Sequence, residues 1–154
     1  MQFSPRRDDA LFDSLEAVVR GLGLSLVEFT VTRHKGSVRI QAVVYKRGIV
    51  GVSDCSKAHH AILPRLELAF PDQELYVEVA SPGIDRTIKD ASEFSTYVGR
   101  GVRCFRLDTS DWTAGVVEDA DENRVILRDA AGLVELPYGI VAKAKLDYSQ
   151  EVED

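Results

Sequence analysis

The chain has 154 residues, 45% of them hydrophobic and 29% charged, enough to bury one good core or two small ones. No apolar run approaches the roughly 20 residues of a membrane span, and the start, Met1 to Asp9, lacks the apolar core of a signal peptide, so the expected location is the cytoplasm with no membrane partner. A net charge of −6 argues against a general nucleic-acid coat, but it is unevenly spread: through Pro82 ten Lys/Arg balance ten Asp/Glu, whereas from Gly83 onward nine face fifteen.

Leu11, Phe12, Leu15, Val18, Val19 and Leu22 recur at helical spacing behind Asp8 and Asp9, whose charges suit a helix N-terminus. Gly21 and Gly23 stop that helix. Val27, Phe29 and Val31 then alternate with polar residues, and beyond Gly36 the alternation resumes with Val38, Ile40, Ala42 and Val44, which predicts a hairpin. Ser53 and Asp54 form a capping pair for a second helix with Cys55, Ala58, His59, Ile62, Leu63 and Leu66 on one stripe. Pro64 lies inside that stripe and removes the bond to His60, which predicts a kink or break. After the Pro71-Asp72 turn, Leu75 to Ala80 reads as a third strand, closing an α-β-β-α-β half with helices over one sheet face.

That strand stops at Ser81-Pro82-Gly83, where proline fixes φ and drives Ser81 out of helical space. Asp85 and Arg86 follow, an adjacent acid and base able to pair across the bend or to hold two folded bodies apart; an ordinary strand-to-helix loop is the plainer alternative. A short helical piece, Ala91 to Val98, leads through Gly99-Arg100-Gly101 into five β runs: Val102 to Leu107, Trp112 to Glu118, Arg124 to Arg128, Leu133 to Leu136 and Val141 to Leu146. Acidic or glycine-bearing turns separate them, and strands so short and close are expected to curl into a small barrel that disposes of their edges. Gln150 to Asp154 reads as a frayed acidic tail.

No nucleophile stands beside a base, so no catalytic residue is assigned and no cofactor is implied. Cys55 and His59 could share a metal, but both belong to an apolar stripe where packing explains them, and no metal site is assigned. The two cysteines, Cys55 and Cys104, support neither a disulfide framework nor a zinc ribbon. Asp108, Asp111, Asp119, Asp121 and Glu122 crowd the later loops without matching a calcium loop, and Gly99-Arg100-Gly101 is too short to cradle phosphate. A hydrolase using Asp85 and one histidine would need an oriented triad that the sequence does not offer.

The main electrostatic feature is an acid-free stretch between Phe29 and Ser53 carrying Arg33, His34, Lys35, Arg39, Lys46 and Arg47. A strand pair of that kind presents either a positive field that attracts RNA phosphate or a sheet edge made soluble by cations. His34 and Tyr45 could stack on bases, although packing accounts for Tyr45 equally well.

Together the turn and its flanks resemble the bacterial ribosome maturation factor RimP family, whose linker runs close to Ser-Ser-Pro-Gly-Leu-Asp-Arg-Pro-Leu. Here it reads Ala80-Ser81-Pro82-Gly83-Ile84-Asp85-Arg86-Thr87-Ile88, departing at Ala80, Thr87 and Ile88. Leu75-Tyr76-Val77-Glu78-Val79 is similar to the family's preceding strand, Val52 to Lys57 to the start of its second helix, and Phe94 to Val102 to its entry into the barrel. The resemblance implies an α+β chain: an N-terminal domain over 1–82 with the basic hairpin, a linker over 83–90, an SH3-like or Sm-like barrel over 91–148 and a tail over 149–154.

It also implies a non-enzymatic, monomeric assembly factor that joins the immature 30S subunit transiently, assists late folding of 16S rRNA and contacts small-subunit ribosomal protein twelve. On that basis Arg33, Lys35, Arg39, Lys46, Arg47 and Arg86 are candidate contacts to rRNA. Ser81, Pro82, Gly83, Asp85 and Arg86 form the interdomain bend, and Asp108, Asp111, Asp119 and Asp121 are candidate contacts to a basic protein. Judged on its second half alone, the chain also resembles an Sm-like RNA-binding regulator, a class that assembles into rings.

Overall fold

A computed structural model describes residues 1–4, 9–48 and 50–151. The chain forms two compact units, one of Arg6–Pro82 and the other of Gly83–Asp154 together with Met1–Pro5.

The first unit runs α1 (Ala10–Arg20), β1 (Ser25–His34), β2 (Ser37–Tyr45), α2 (Val52–Ala69) and β3 (Glu74–Ala80). Asp9 caps α1 by accepting from the Phe12 N–H at 3.0 Å, and Gly23 at φ 80° reverses the chain behind it; the expected partner of that cap, Asp8, lies outside the described residues. β1 and β2 pair antiparallel from Ser25↔Tyr45 to His34↔Ser37, with a bulge between Leu26 and Glu28. α2 then crosses over so that β3 returns parallel to β2, giving the sheet order β1-β2-β3. Leu15 and Val19 of α1, Ile40 and Val44 of β2, and Ala58, Ile62 and Leu66 of α2 are almost wholly buried in one core.

Two details of α2 differ from expectation. The helix does not break at Pro64, which lies on the exposed side while Ile62 and Leu66 hold the buried face to either side of it. Its N-cap is Gly51 rather than the Ser53-Asp54 pair: Asp54, at the third helical position, reaches back to accept from the Gly51 N–H at 2.9 Å.

The second unit contains all five expected β runs, as β5 (Gly101–Arg106), β6 (Asp111–Ala120), β7 (Arg124–Asp129), β8 (Gly132–Pro137) and β9 (Val141–Leu146). A sixth strand, β4 (Thr87–Ile88), comes from the stretch read as linker and pairs with Lys145 and Ala144 of β9. The sheet is antiparallel throughout, in the order β4-β9-β5-β6-β7-β8, and is bulged at Phe105/Arg106 and at Val117/Asp119. The short helical piece is a 3-10 helix, Ala91–Tyr97, opened by Asp90 accepting from the Ser92 N–H. Phe94, Tyr97, Val102, Cys104, Val117, Val125, Leu127, Leu136 and Val141 make the core. The mixed α+β class therefore holds, with the α-β-β-α-β order ahead of an all-antiparallel half.

Residues 1–4 and the stretch up to Glu151 are both built into this second unit. The Met1 amino group donates to the carbonyls of Tyr138 and Val141 at 2.6 and 2.5 Å, Phe3 stacks on Tyr138, and the Ser4 N–H reaches the Asp90 carboxylate. Of the stretch expected to fray, Gln150 and Glu151 instead complete a 3-10 helix, Tyr148–Glu151, whose Glu151 pairs with Arg100; the rest of that stretch lies outside the described residues.

Candidate nucleic-acid interface

The acid-free stretch of sequence does not become one acid-free surface. Alternation along the hairpin puts Phe29, Val31 and Arg33 on one face, opposite Ala42, Ile40 and Val38, all three of which are buried. Arg33 thus ends the core-facing row at the hairpin tip, with its guanidinium 5.1 Å from the centroid of the Phe70 ring. Beside it opens a cleft of about 310 Å³ whose lining includes His34, Gly36, Ala69, Phe70 and Gln73. Lys35 is exposed in the same turn.

Arg39 lies on the opposite face, between Thr32 of β1 and Tyr76 of β3. β3 carries Glu74 and Glu78 on that same face, two residues either side of Tyr76. The Glu74 carboxylate takes the Tyr76 hydroxyl and pushes its pKa up, while Arg39 pulls it down. Lys46 and Arg47 follow the far end of β2, roughly 30 Å from the tip for nine residues at about 3.3 Å each. Lys46 is bound 3.1 Å from Asp54, whose pKa is held low first by the Gly51 N–H and then by that lysine; Arg47 is exposed. The structure therefore brings Arg33, His34 and Lys35 together and leaves Arg39, Lys46 and Arg47 elsewhere.

Of the bend residues, Ser81, Gly83 and Asp85 are exposed and Pro82 is half-buried. Arg86 does not pair with Asp85: its side chain is 9% exposed and lies 3.0 Å from the Glu93 carboxylate, while its carbonyl accepts from the Leu146 N–H. Arg86 is thus held inside the second unit by its side chain and by its backbone. The acids also divide. Asp108, paired with Arg106, and Asp111 flank the β5–β6 turn, whereas Asp119 and Asp121 lie at the other end of the ten-residue β6. Asp121 organises the β6–β7 turn by accepting from Asn123 and Arg124 N–H groups, which hold its pKa low.

One cationic cluster escaped the sequence reading. β5 and β9 pair so that Arg103 faces Lys145 and Phe105 faces Lys143, while Phe105 also faces Trp112 of β6. The two rings meet edge to face at 5.4 Å; the Arg103 guanidinium lies 5.2 Å from the Trp112 centroid and the Lys143 ammonium 5.4 Å. Trp112 is 39% exposed. No sequence window holds this group, since Arg103 and Lys143 are forty positions apart and only strand pairing joins them.

The sequence model of the RimP N-terminal domain matches residues 14–85. Over 136 residues the chain is 31% identical to a protein of Borrelia hermsii named Ribosome maturation factor RimP, covering 88% of this chain and 93% of that one. Proteins of the same name from Borrelia recurrentis and Borrelia turicatae are each 29% identical over the same shares. With similarity of this extent running through both compact units, the chain belongs to the RimP family.

Proposed function

We propose that this chain is a non-catalytic ribosome maturation factor that binds the immature 30S subunit transiently, in the cytoplasm and as a monomer, and assists late folding of 16S rRNA and incorporation of ribosomal protein. The observation that carries the reading is the near full-length similarity to proteins named for that role, which spans both units and so favours it over an Sm-like regulator related through the second half alone. The hairpin tip supplies the chemistry: Arg33 and Lys35 offer charge to phosphate, and His34 beside the cleft offers a ring to an unpaired base. Asp119, Asp121 and Glu122 at one end of β6 offer complementary charge to a basic protein such as small-subunit ribosomal protein twelve.

Sedimentation with immature and mature small subunits tests this. Selective attachment to immature subunits is expected, and equal attachment to both, or to neither, overturns the reading. Within that assay, Arg33→Glu with Lys35→Glu should weaken attachment about tenfold or more and flatten its salt dependence, whereas Arg39→Glu, on the face shared with Glu74 and Glu78, should do less. Undiminished pelleting of the tip variant removes the tip from the interface.

A further inference from the structure

The second half carries fifteen acids against nine bases, so its cations have acids to spare. Arg86, Arg100, Arg106, Arg124 and Arg128 each take one, from Glu93, Glu151, Asp108, Glu135 and Glu118 respectively. Arg103, Lys143 and Lys145 are exceptions, with no ion pair among the described residues. All three project from one face of adjacent strands, and the first two lie against Trp112 and Phe105. Asp147 is near enough for the charge of Arg103 to help lower its pKa, but its carboxylate is taken by Ser149 and Gln150.

We propose that this face of β9, β5 and β6 is a second nucleic-acid contact, one that takes a short single strand of RNA. Strands lie about 4.8 Å apart and alternate residues about 6.6 Å, so Lys143, Lys145 and Arg103 form a triangle of charge along a backbone-sized track. Trp112 and the Arg103 guanidinium offer flat surfaces at its edge on which an unpaired base stacks. The cation–π contacts keep the positive heads over the rings before any ligand arrives, which reduces the ordering required on binding. Positive charge gathered on an otherwise acidic half selects an anion, and the aromatic floor selects one with bases over an acidic peptide. The inference deepens the proposed function by assigning RNA contact to the half that lacks the hairpin.

Trp112 is the sole tryptophan, so its emission reports this face directly. Titration of the full chain with a twelve-nucleotide oligouridylate at low salt should quench that emission saturably. Lys143→Gln with Lys145→Gln should weaken binding about tenfold and lower the slope of log affinity against log salt by about 0.7 per lysine removed. Trp112→Phe, followed by fluorescence anisotropy of labelled RNA, should cost about fivefold or more through lost stacking, with circular dichroism confirming the fold. Absence of saturable quenching, RNA binding indifferent to these variants, or equal quenching by oligoglutamate at matched ionic strength overturns the inference. Selective pelleting with immature subunits alongside failed quenching leaves the proposed function intact and removes only this face.

Discussion

Arg86 carries the sharpest stability prediction because it forms a largely buried ion pair with Glu93. Glu93 is buried; one of its oxygens takes the Arg86 guanidinium at 3.0–3.1 Å, and the other takes the N–H groups of Lys89 and Asp90 at 3.0 and 3.3 Å. Arg86→Met strands that carboxylate and should destabilise the protein by about 3–5 kcal/mol in urea unfolding. Adding Glu93→Gln should cost much less than its effect alone, the mark of a direct pair; additive losses would deny the coupling. The Asp85-Arg86 dipeptide was visible in the sequence, and so was the bend. The destination of Arg86 was not, because Glu93 is seven residues on and reaches back only once the 3-10 helix has formed from Ala91.

Among the elements, α2 tolerates what sequence logic treats as a breaker. Pro64 deprives the helix of one hydrogen bond, yet α2 continues past it with Ala58, Ile62 and Leu66 buried on its core face. Pro64→Ala restores the donor at an exposed position and should stabilise the first unit by about 1 kcal/mol or more in thermal or urea unfolding; a loss would show that the helix is adapted to the proline. The hairpin was legible down to its turn, since period-two alternation fixes register. Parity also separates Arg33 from Arg39, a signal in the sequence that a tally of cations passes over. Three features had no such signal. The parallel return of β3 depends on a crossover, β4 is two residues long, and the Trp112 cluster depends on which strand borders β5.

At the scale of the molecule, the second unit is closed by a seam of short polar contacts around Asp90. Burial pushes the Asp90 carboxyl up, but hydrogen bonds from Ser92 and from the Ser4 N–H outweigh it and hold the pKa below the ordinary carboxylate value. A carboxyl so lowered adds stability that is fully present above its unfolded pKa, about 3.9, and is lost as pH falls through its folded value. The melting temperature should therefore drop as pH falls below about 4, and Asp90→Asn should flatten part of that drop; an unchanged slope would remove Asp90 from the acid response. The other side of the seam is Met1, held by the carbonyls of Tyr138 and Val141. On a translating ribosome the opening residues must therefore wait for Tyr138 and Val141, 137 and 140 positions later, before they can dock. A bulky fusion placed ahead of Met1 would disturb the half of the protein made last and spare the helix that follows it directly in the message.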